Sequence, residues 1–355
     1  MDPTSPTSPI STTTPTGRTR WQRLRADRSA TAGLVLALLL VLIAVAAPLI
    51  CAIEGQNPTE YHNALLDSAT GGVPIGGMGG ASGRHWLGVE PGTGRDLLAR
   101  LVYGAQISLG VAIGATAVQV GLGVLLGLAA GLGNRVVDTV LGRAMDLVLA
   151  FPGLVFAISL LAVVPAGFPR PVLLVLVLGV LGWGGIARVV RGQVLTLREL
   201  DHVAAARLGG ARGWRIARRE ILPALGAPVI TYAALLLPSN VTAEAGLSFL
   251  GVGVRPPTAS WGQMLSSATT WYVADPAFVL LPAALLFATV LAFTLLGEGL
   301  RRALDPRSAH RVGARSRSTG RTRPTDRPRP FGRPPRALGA GPQLPDRQPG
   351  DGARA

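Results

Sequence analysis

Six long apolar runs, none of which contains a charged residue, dominate this sequence of 355 residues. A bilayer core about 30 Å thick is crossed by roughly 20 residues of helix, and a charge-free run of about 18 or more predicts a membrane span. Buried helices of a soluble protein are instead amphipathic, with charged residues at helical spacing. The sequence therefore predicts an all-α integral membrane protein with six transmembrane helices, at residues 30–53, 101–132, 147–169, 171–187, 221–243 and 276–297.

Arginine supplies all 34 basic side chains, and lysine is absent. The lack of lysine excludes a P-loop, whose lysine must reach the terminal phosphates, and it excludes Schiff-base chemistry. Cys51 is the only cysteine, which rules out an internal disulfide and a cysteine zinc cluster. Neither HExxH nor GxSxG occurs, and four histidines are too scattered to predict a metal-ligand pair: His62, His85, His202 and His310. We therefore expect a protein that is not an enzyme and that holds no metal and no cofactor.

The arginines also predict the orientation of the chain, because short cytoplasmic loops collect basic residues. Outside the six runs, 29 arginines fall on one side of the membrane if the runs alternate strictly. The other five lie in the alternate loops: Arg84, Arg95, Arg100, Arg170 and Arg255. This split predicts a multi-pass protein of the cytoplasmic membrane, with both termini in the cytoplasm and a large external loop at residues 54–100.

Composition divides the chain into four segments. Residues 1–29, rich in Ser, Thr and Pro, are predicted to be a disordered cytoplasmic tail. Residues 30–100 hold the first transmembrane helix and the external loop, and residues 101–304 hold a five-helix core with a cytoplasmic loop at 188–223. Residues 305–355 are predicted to be a disordered tail rich in arginine and proline. Aromatic residues do not alternate with its arginines, so a solvated tail is favoured over one that binds nucleic acid or anionic lipid.

Glycines recur every four residues in the second run, at Gly123, Gly127 and Gly131. This spacing puts them on one face of a helix, where a neighbouring helix can approach closely. A nucleotide-binding glycine loop is the alternative, but no strand precedes the glycines and their spacing is not GxGxxG. The pattern therefore predicts helix packing.

Two segments outside the spans have distinctive compositions. Residues 71–83 are dense in glycine and are predicted to be flexible. Residues 245–254 are apolar but too short to cross the membrane, which predicts a partial or re-entrant segment at the outer face.

The loop at residues 188–223 is far longer than a connection between two spans requires. Residues 199–208 are compatible with a helix, and Gly209 and Gly210 supply a stop signal at its end. The helix carries a face of small side chains suited to a partner's cleft, formed by Ala204, Ala205 and Ala206.

A second short helix is predicted at residues 213–220, with Trp214, Ala217 and Ile221 on one side. The alternative for the whole loop is a helix that lies on the membrane surface, where arginine and tryptophan are also favoured.

This loop resembles the Glu-Ala-Ala motif of the permease subunits of binding-protein-dependent ABC importers. In that motif Glu-Ala-Ala is followed by three residues, Gly, nine residues, Ile, one residue and Leu-Pro. The chain departs from the motif at two positions, where Ala204 replaces the glutamate and Glu220 stands in place of the isoleucine. The resemblance implies that this loop couples the chain to an ATPase through Ala204, Ala205, Ala206, Arg207, Gly210, Leu222 and Pro223.

Three further segments resemble the C-type permease of the dipeptide, oligopeptide and nickel branch. They are HWLGVEPGTGRDLLARLVYGAQISLGVA at 85–112, MDLVLAFPGLVFAISL at 145–160 and AEAGLSFLGVGVRPPTASWGQML at 243–265. The resemblance implies a type I ABC importer permease with six transmembrane helices and a cytoplasmic coupling helix. It also implies membrane lipid around the chain and three kinds of protein partner: a second, B-type permease subunit, two cytoplasmic ATP-binding subunits and an external solute-binding protein. The implied cargo is a small peptide, with nickel or another metal complex as the alternative.

Polar residues of the fifth run are candidates for lining the transport pathway: Thr231, Tyr232, Ser239 and Asn240. Polar side chains within a span can equally be hydrogen-bonded to a neighbouring helix. A secondary transporter is the rival class, but it would be expected to bury ionisable groups near the bilayer midplane, and the six runs contain none. A membrane-anchored protein that binds nucleic acid or lipid would instead need the arginine-rich tail for its function.

The predicted topology can be tested with single cysteines in a Cys51→Ala background. Because residue 82 is placed outside the membrane and residues 196 and 318 inside, an impermeant thiol reagent should label Ser82→Cys in intact spheroplasts. It should not label Thr196→Cys or Ser318→Cys until the membrane is opened. Labelling of Ser318→Cys in intact spheroplasts would reverse the orientation or change the number of spans.

Overall fold

The computed structural model describes residues 27–165 and 167–304. The predicted tail at 305–355 lies outside these residues, and so do positions 1–26 of the predicted N-terminal tail. Asp27 caps the first helix, where its carboxylate accepts a hydrogen bond from the Ser29 backbone at 3.1 Å. Arg28 begins that helix, so residues 28 and 29 belong to the first span and not to the tail.

Helices make up most of the described residues. In chain order they are α1 (Arg28–Val45), α2 (Ala47–Glu54), α3 (Leu97–Leu132), α4 (Arg135–Ala150), α5 (Gly153–Val163), α6 (Arg170–Leu197), α7 (Asp201–Leu208), α8 (Gly213–Ile216), α9 (Leu222–Phe249), α10 (Trp261–Ala268) and α11 (Pro276–Leu304). A π-helical turn, Ala217–Ile221, joins α8 to α9. Strands β1 (Leu66–Asp67) and β2 (Val73–Pro74) pair antiparallel between α2 and α3.

Five helices among the described residues are long and apolar enough to cross a membrane, or six if α4 and α5 count as one bent span. The all-α membrane fold predicted from the sequence is thus confirmed. The third apolar run, at 147–169, is not one continuous helix, because α4 and α5 meet at 83°. Pro152 lacks a backbone N–H and pushes Phe151 out of the helical conformation, to φ −74° and ψ 139°.

The fifth span extends beyond its apolar run. α9 continues to Phe249, so the predicted re-entrant segment at 245–254 is wrong: it begins as the last turn of α9 and ends as an irregular turn. The same extension places Glu244 inside the spanning helix, which corrects the expectation that the spans hold no ionisable group.

The glycine stripe of α3 lies against α6, as its spacing predicts. A Cβ placed on Gly127 would lie 2.7 Å from the Ala187 carbonyl oxygen, and one on Gly131 would lie 2.6 Å from Cγ1 of Val194. Only a residue without a side chain permits this approach. The glycines therefore set the distance between the two helices.

α1 packs against α11 in the same manner. A Cβ on Gly33 would lie 2.7 Å from the Leu296 backbone nitrogen. At the end of this pair, Arg302 lies 2.9 Å from Asp27. A hydrogen bond from the Ser29 hydroxyl, followed by backbone contacts and the Arg302 charge, lowers the pKa of the Asp27 carboxyl. The start of the described chain is thereby tied to its last helix.

The segment between α2 and α3, residues 55–96, folds over one end of the bundle and is called the cap here. Its glycine-rich part, predicted to be flexible, is instead held by specific hydrogen bonds. The Gly92 N–H donates to the Gly72 carbonyl at 2.8 Å, and the Val89 N–H donates to the Gly79 carbonyl at 2.9 Å. Gly72 and Gly79 have φ of 104° and 68°, which favours glycine at both positions.

Arg100, in the first turn of α3, is completely buried and fastens the cap to α10. Its Nη2 donates to Oε1 of Gln263 at 2.6 Å, and its Nη1 donates to the Pro257 carbonyl at 3.2 Å. Oε2 of Glu90, in the cap, lies 2.7 Å from Nη2 of Arg95 and 3.3 Å from Nε of Arg100. Two arginines that the sequence analysis counted as loop charges therefore hold the fold together.

The contact between α3 and α6 predicts different outcomes for two glycines of the same helix. Gly127→Ala should destabilise the protein by about 1–3 kcal/mol, because the new methyl group overlaps the α6 backbone. Gly121→Ala is the matched control, since a Cβ there meets nothing within 4 Å. Thermal unfolding of the two purified variants in one detergent measures the difference. Equal melting temperatures would show that the glycine face does not set the packing.

Candidate functional site

The loop between α6 and α9 folds into two short helices separated by a tight turn. α7 begins at Asp201, two residues later than the predicted start at 199. α8 is followed by the π-helical turn, so the predicted second helix runs without interruption into the fifth span. Ile216, Ala217 and Ile221 are buried, whereas Trp214 is 76% exposed. The expectation that Trp214 shares a face with Ala217 and Ile221 is therefore wrong.

Gly210 ends α7 in a Schellman motif, with φ of +77°. The Gly210 N–H donates to the Arg207 carbonyl at 3.0 Å, and the Ala211 N–H donates to the Ala206 carbonyl at 3.0 Å. These two bonds satisfy carbonyl groups that have no partner within the helix. Gly209 has a φ of −75°, so of the two predicted stop residues only Gly210 requires left-handed backbone.

Val203 anchors α7 to the spanning helices. It is completely buried, and it packs in an apolar cluster with side chains of α6, α8, the π-helical turn and α9: Ile186, Val190, Val194, Ile216, Ile221 and Leu225. α7 is consequently not a detached surface helix. A displacement of α7 must move this cluster, and with it the ends of α6 and α9.

The opposite face of α7 is open to solvent. Ala204, Ala205 and Arg207 are exposed, and Ala206 is half-buried. Leu222 and Pro223 are exposed at the start of α9. All seven residues predicted for ATPase coupling therefore lie on one connected segment, whose exposed part includes a patch of small side chains.

The residues predicted to line a pathway fall into different environments. Thr231 and Tyr232 are half-buried and Ser239 is exposed, whereas Asn240 is 4% exposed. Asn240 exchanges two hydrogen bonds of 3.0 Å with Gln119 of α3. For Asn240 the structure thus favours the alternative reading, a side chain hydrogen-bonded to a neighbouring helix.

Thr116 and Gln119, two polar residues of α3, complete this buried group, and neither was predicted from the sequence. Thr116 accepts a hydrogen bond from Nδ2 of Asn240 at 2.8 Å, and Gln119 donates to the Leu178 carbonyl of α6 at 3.0 Å. Their spacing of three residues within an apolar run is the signal that would have indicated them. The group joins α3, α6 and α9 inside the bundle.

Glu244 is completely buried one turn further along α9. Its Oε1 accepts a hydrogen bond from the Ser248 hydroxyl at 2.8 Å, and that hydroxyl accepts one from the Val254 N–H at 3.0 Å. These bonds fix the turn after α9. Glu244 lies five residues from the end of the helix, so it does not occupy the midplane position expected of a secondary transporter.

Ion pairs fasten α4 to α6 on the side of the bundle where α7 lies. Arg191 pairs with Asp138, and Arg188 lies 2.6 Å from Asp146. Neither pair is evident from the sequence, because the members of each are more than forty residues apart and only the folded chain brings them together.

At the cap end, the rings of His62 and His85 lie 4.9 Å apart. Nδ1 of His85 is 2.9 Å from Oδ2 of Asp96, whose other oxygen accepts a hydrogen bond from the Ala99 N–H. The structure thus brings together two histidines that the sequence analysis treated as scattered. Within 27–165 and 167–304, no group of three or more His, Cys, Asp or Glu side chains has the geometry to hold a metal ion.

A bundle of five or six spanning helices, interrupted on one side by a short folded helix pair, is the architecture of a type I ABC importer permease. Residues 123–310 match the family model described as binding-protein-dependent transport system inner membrane component. Residues 15–66 match the N-terminal transmembrane domain of oligopeptide transport permease C. The chain belongs to the family of binding-protein-dependent transport system inner membrane components.

Curated relatives agree with this assignment. The chain is 35% identical over 287 residues to the glutathione transport system permease protein GsiD of Pectobacterium atrosepticum. These aligned residues cover 81% of this chain and 90% of the relative. The proteins of the same name from Escherichia coli O157:H7 and Shigella sonnei are also 35% identical over 287 residues, covering 81% of this chain and 89% of each relative.

The protein is therefore an ABC importer permease of the peptide family, a multi-pass membrane subunit without an ATPase site of its own. Permeases of this kind work with ATPase subunits, a second permease and a solute-binding protein.

The Schellman turn predicts that α7 tolerates a side chain at one of its two terminal glycines and not at the other. Gly210→Ala should strain the backbone by about 1–3 kcal/mol and reduce transport severalfold at unchanged membrane levels. Gly209→Ala should transport normally, because its φ is negative and a Cβ there makes only ordinary contacts of 3.5 Å or more. Substrate uptake into proteoliposomes containing the complete transporter measures both variants. Equal uptake would separate the turn from function.

Proposed function

We propose that this permease passes small peptides of a few residues across the cytoplasmic membrane, driven by ATP hydrolysis in separate subunits. The relatives at 35% identity carry glutathione transport in their name, and glutathione is a tripeptide. The match to the N-terminal domain of oligopeptide permease C favours the same class of cargo. A nickel or other metal complex is the alternative cargo, since that cargo belongs to the same branch.

The buried Val203 beneath an exposed alanine face is the observation that carries the proposed coupling. One side of α7 is fixed to the spanning helices, and the other is free to enter a cleft. A motion imposed on the free side must therefore reach the bundle. α7 is proposed to be the coupling helix, which docks on an ATP-binding subunit with the exposed Ala204 and Ala205 facing that subunit, while Ala206 packs partly against the Val203 cluster.

The mechanism requires a bundle with two states whose balance ATP binding shifts. When the ATP-binding subunits close, they carry α7 with them, and the Val203 cluster passes the motion to α6 and α9. The glycine contact makes α3 follow α6, and the Asn240–Gln119 pair holds α9 on α3 during the movement. The break at Phe151–Pro152 lets α4 and α5 change their relative angle.

The pathway is proposed to lie between this chain and a B-type permease subunit. Ser239 is exposed on α9, and Thr231 and Tyr232 are half-buried on the same helix. They are the candidates for one side of a pathway whose other side the second subunit would supply.

Both termini and α7 are proposed to be cytoplasmic, in accordance with the arginine distribution. The solute-binding protein would then deliver cargo at the cap.

Uptake experiments test the cargo. A strain that lacks this permease should lose accumulation of labelled glutathione and of labelled di- and tripeptides, and the restored gene should return it. A strain that lacks the ATP-binding subunits is the reference for complete loss. Unchanged peptide uptake together with lost nickel accumulation would replace the proposed cargo by the metal complex.

A further inference from the structure

Five arginines on the segment from α7 to α9 are exposed, and their guanidinium groups have no partner among the described residues: Arg207, Arg212, Arg215, Arg218 and Arg219. Arginines nearby are paired, as Arg188 is with Asp146. The carboxylates of the same stretch are Asp201, at the far end of α7, and the half-buried Glu220. An excess of unpaired positive charge therefore lies on the surface proposed to meet the ATPase.

Two large apolar side chains stand among these arginines. Leu208 is 91% exposed and Trp214 is 76% exposed, on either side of the turn at Gly210. Tryptophan and arginine are the residue types that most often dominate the binding energy of a protein interface. We call Arg207, Leu208, Arg212, Trp214 and Arg215 together the coupling surface.

The middle of α7 carries no charge that would suit a basic partner. Ala204 occupies the motif position of a glutamate, and Ala204 and Ala205 present only methyl groups to solvent. A carboxylate at position 204 would favour a basic groove in the partner. Its absence leaves the arginines to determine the electrostatic character of the contact.

The length of α6 favours a protein partner over the membrane surface. Its 28 residues extend about 42 Å, whereas the hydrocarbon layer is about 30 Å thick. If Pro171 and Arg191 mark the two edges of that layer, the six further residues place Leu197, the end of α6, about 9 Å beyond it. Headgroups occupy roughly 5–8 Å on each side, so on this placement the chain leaves α6 beyond the headgroups before it enters α7.

We propose that the coupling surface docks into an acidic groove of the ATP-binding subunit, which receives Leu208 and Trp214 in an apolar pocket and pairs carboxylates with Arg212 and Arg215. This inference rests on the proposed coupling role of α7. It adds the chemical character of the partner, which the Glu-Ala-Ala motif does not give because its glutamate is missing here.

Charge-neutral variants test the electrostatic part. The affinity of the transporter's own ATP-binding subunits for the permease pair is measured in phosphatidylcholine nanodiscs at several salt concentrations. Arg212→Gln combined with Arg215→Gln should weaken binding about three- to tenfold at low salt, with the difference lost near 1 M salt. Arg135→Gln combined with Arg143→Gln is the matched control, since it removes the same charge from exposed positions on α4. Asp146, which lies 4.0 Å from Arg143, keeps its closer partner Arg188, so the control should bind normally.

Truncation of the apolar anchor tests the second part. Trp214→Ala removes an exposed side chain, so it leaves no cavity in the permease. It should weaken binding by about tenfold or more at low and high salt alike.

The outcomes separate this inference from the proposal beneath it. Tighter binding after neutralisation would indicate a basic groove, and equal losses in the control would indicate a general charge effect. Losses only in phosphatidylglycerol nanodiscs would assign the surface to the membrane. Each of these results overturns the acidic groove. Ala205→Cys, at an exposed position of α7 and in a Cys51→Ala background, should form a nucleotide-sensitive crosslink with a cysteine in the ATPase cleft. A crosslink together with unaltered affinity in the arginine and tryptophan variants refutes only the groove chemistry, whereas no crosslink refutes the coupling role itself.

Discussion

Three glycines spaced four residues apart let the backbone of α3 lie directly against α6. The hydrophobic effect does not drive helices together inside a bilayer, because the lipid tails are as apolar as the side chains. The contact between α3 and α6 must therefore come from close packing of atoms and from hydrogen bonds. A Cβ on Gly127 would overlap the α6 backbone, which shows how little space separates the two helices. Several other elements are held to this pair: α9 and the cap are fastened to α3, α4 is fastened to α6 by ion pairs, and α6 leads directly into α7.

Apolar packing and polar hydrogen bonds connect α7 and the spanning helices at two different levels of the structure. Val203 fixes α7 to the ends of α6 and α9 by apolar packing, which resists separation in any direction. Inside the bundle, Asn240 and Gln119 satisfy each other's amide groups, and in hydrocarbon such groups have no water to replace a lost partner. A motion imposed on α7, as the proposed coupling requires, would therefore be passed on through packed and hydrogen-bonded contacts at both levels.

The sequence predicted the elements that depend on local chemistry. Charge-free runs indicated the spans, the spacing of Gly123, Gly127 and Gly131 indicated a close helix contact, and Gly210 indicated the end of α7. Predictions from the sequence were wrong where the local conformation or the exposure of a side chain depended on contacts formed only in the folded chain. The break before Gly153 was hidden in an apolar run, the glycine-rich part of the cap is held by bonds to residues near Gly92, and Trp214 stands on the exposed side of its helix.

Hydropathy by itself determined that this chain crosses a membrane as helices, because hydrocarbon admits only segments whose backbone groups are satisfied within the segment. The motif residues likewise indicated the segment that is proposed to couple the chain to an ATPase, since a helix stop and a run of alanines are local patterns. Tertiary structure alone decided what the polar residues do. Asn240 pairs with a residue more than one hundred positions away, Arg100 is buried between the cap and α10, and Val203 lies in one apolar cluster with side chains of four other elements. The partner of a polar or apolar side chain depends on which helices become neighbours, and no single segment contains that information.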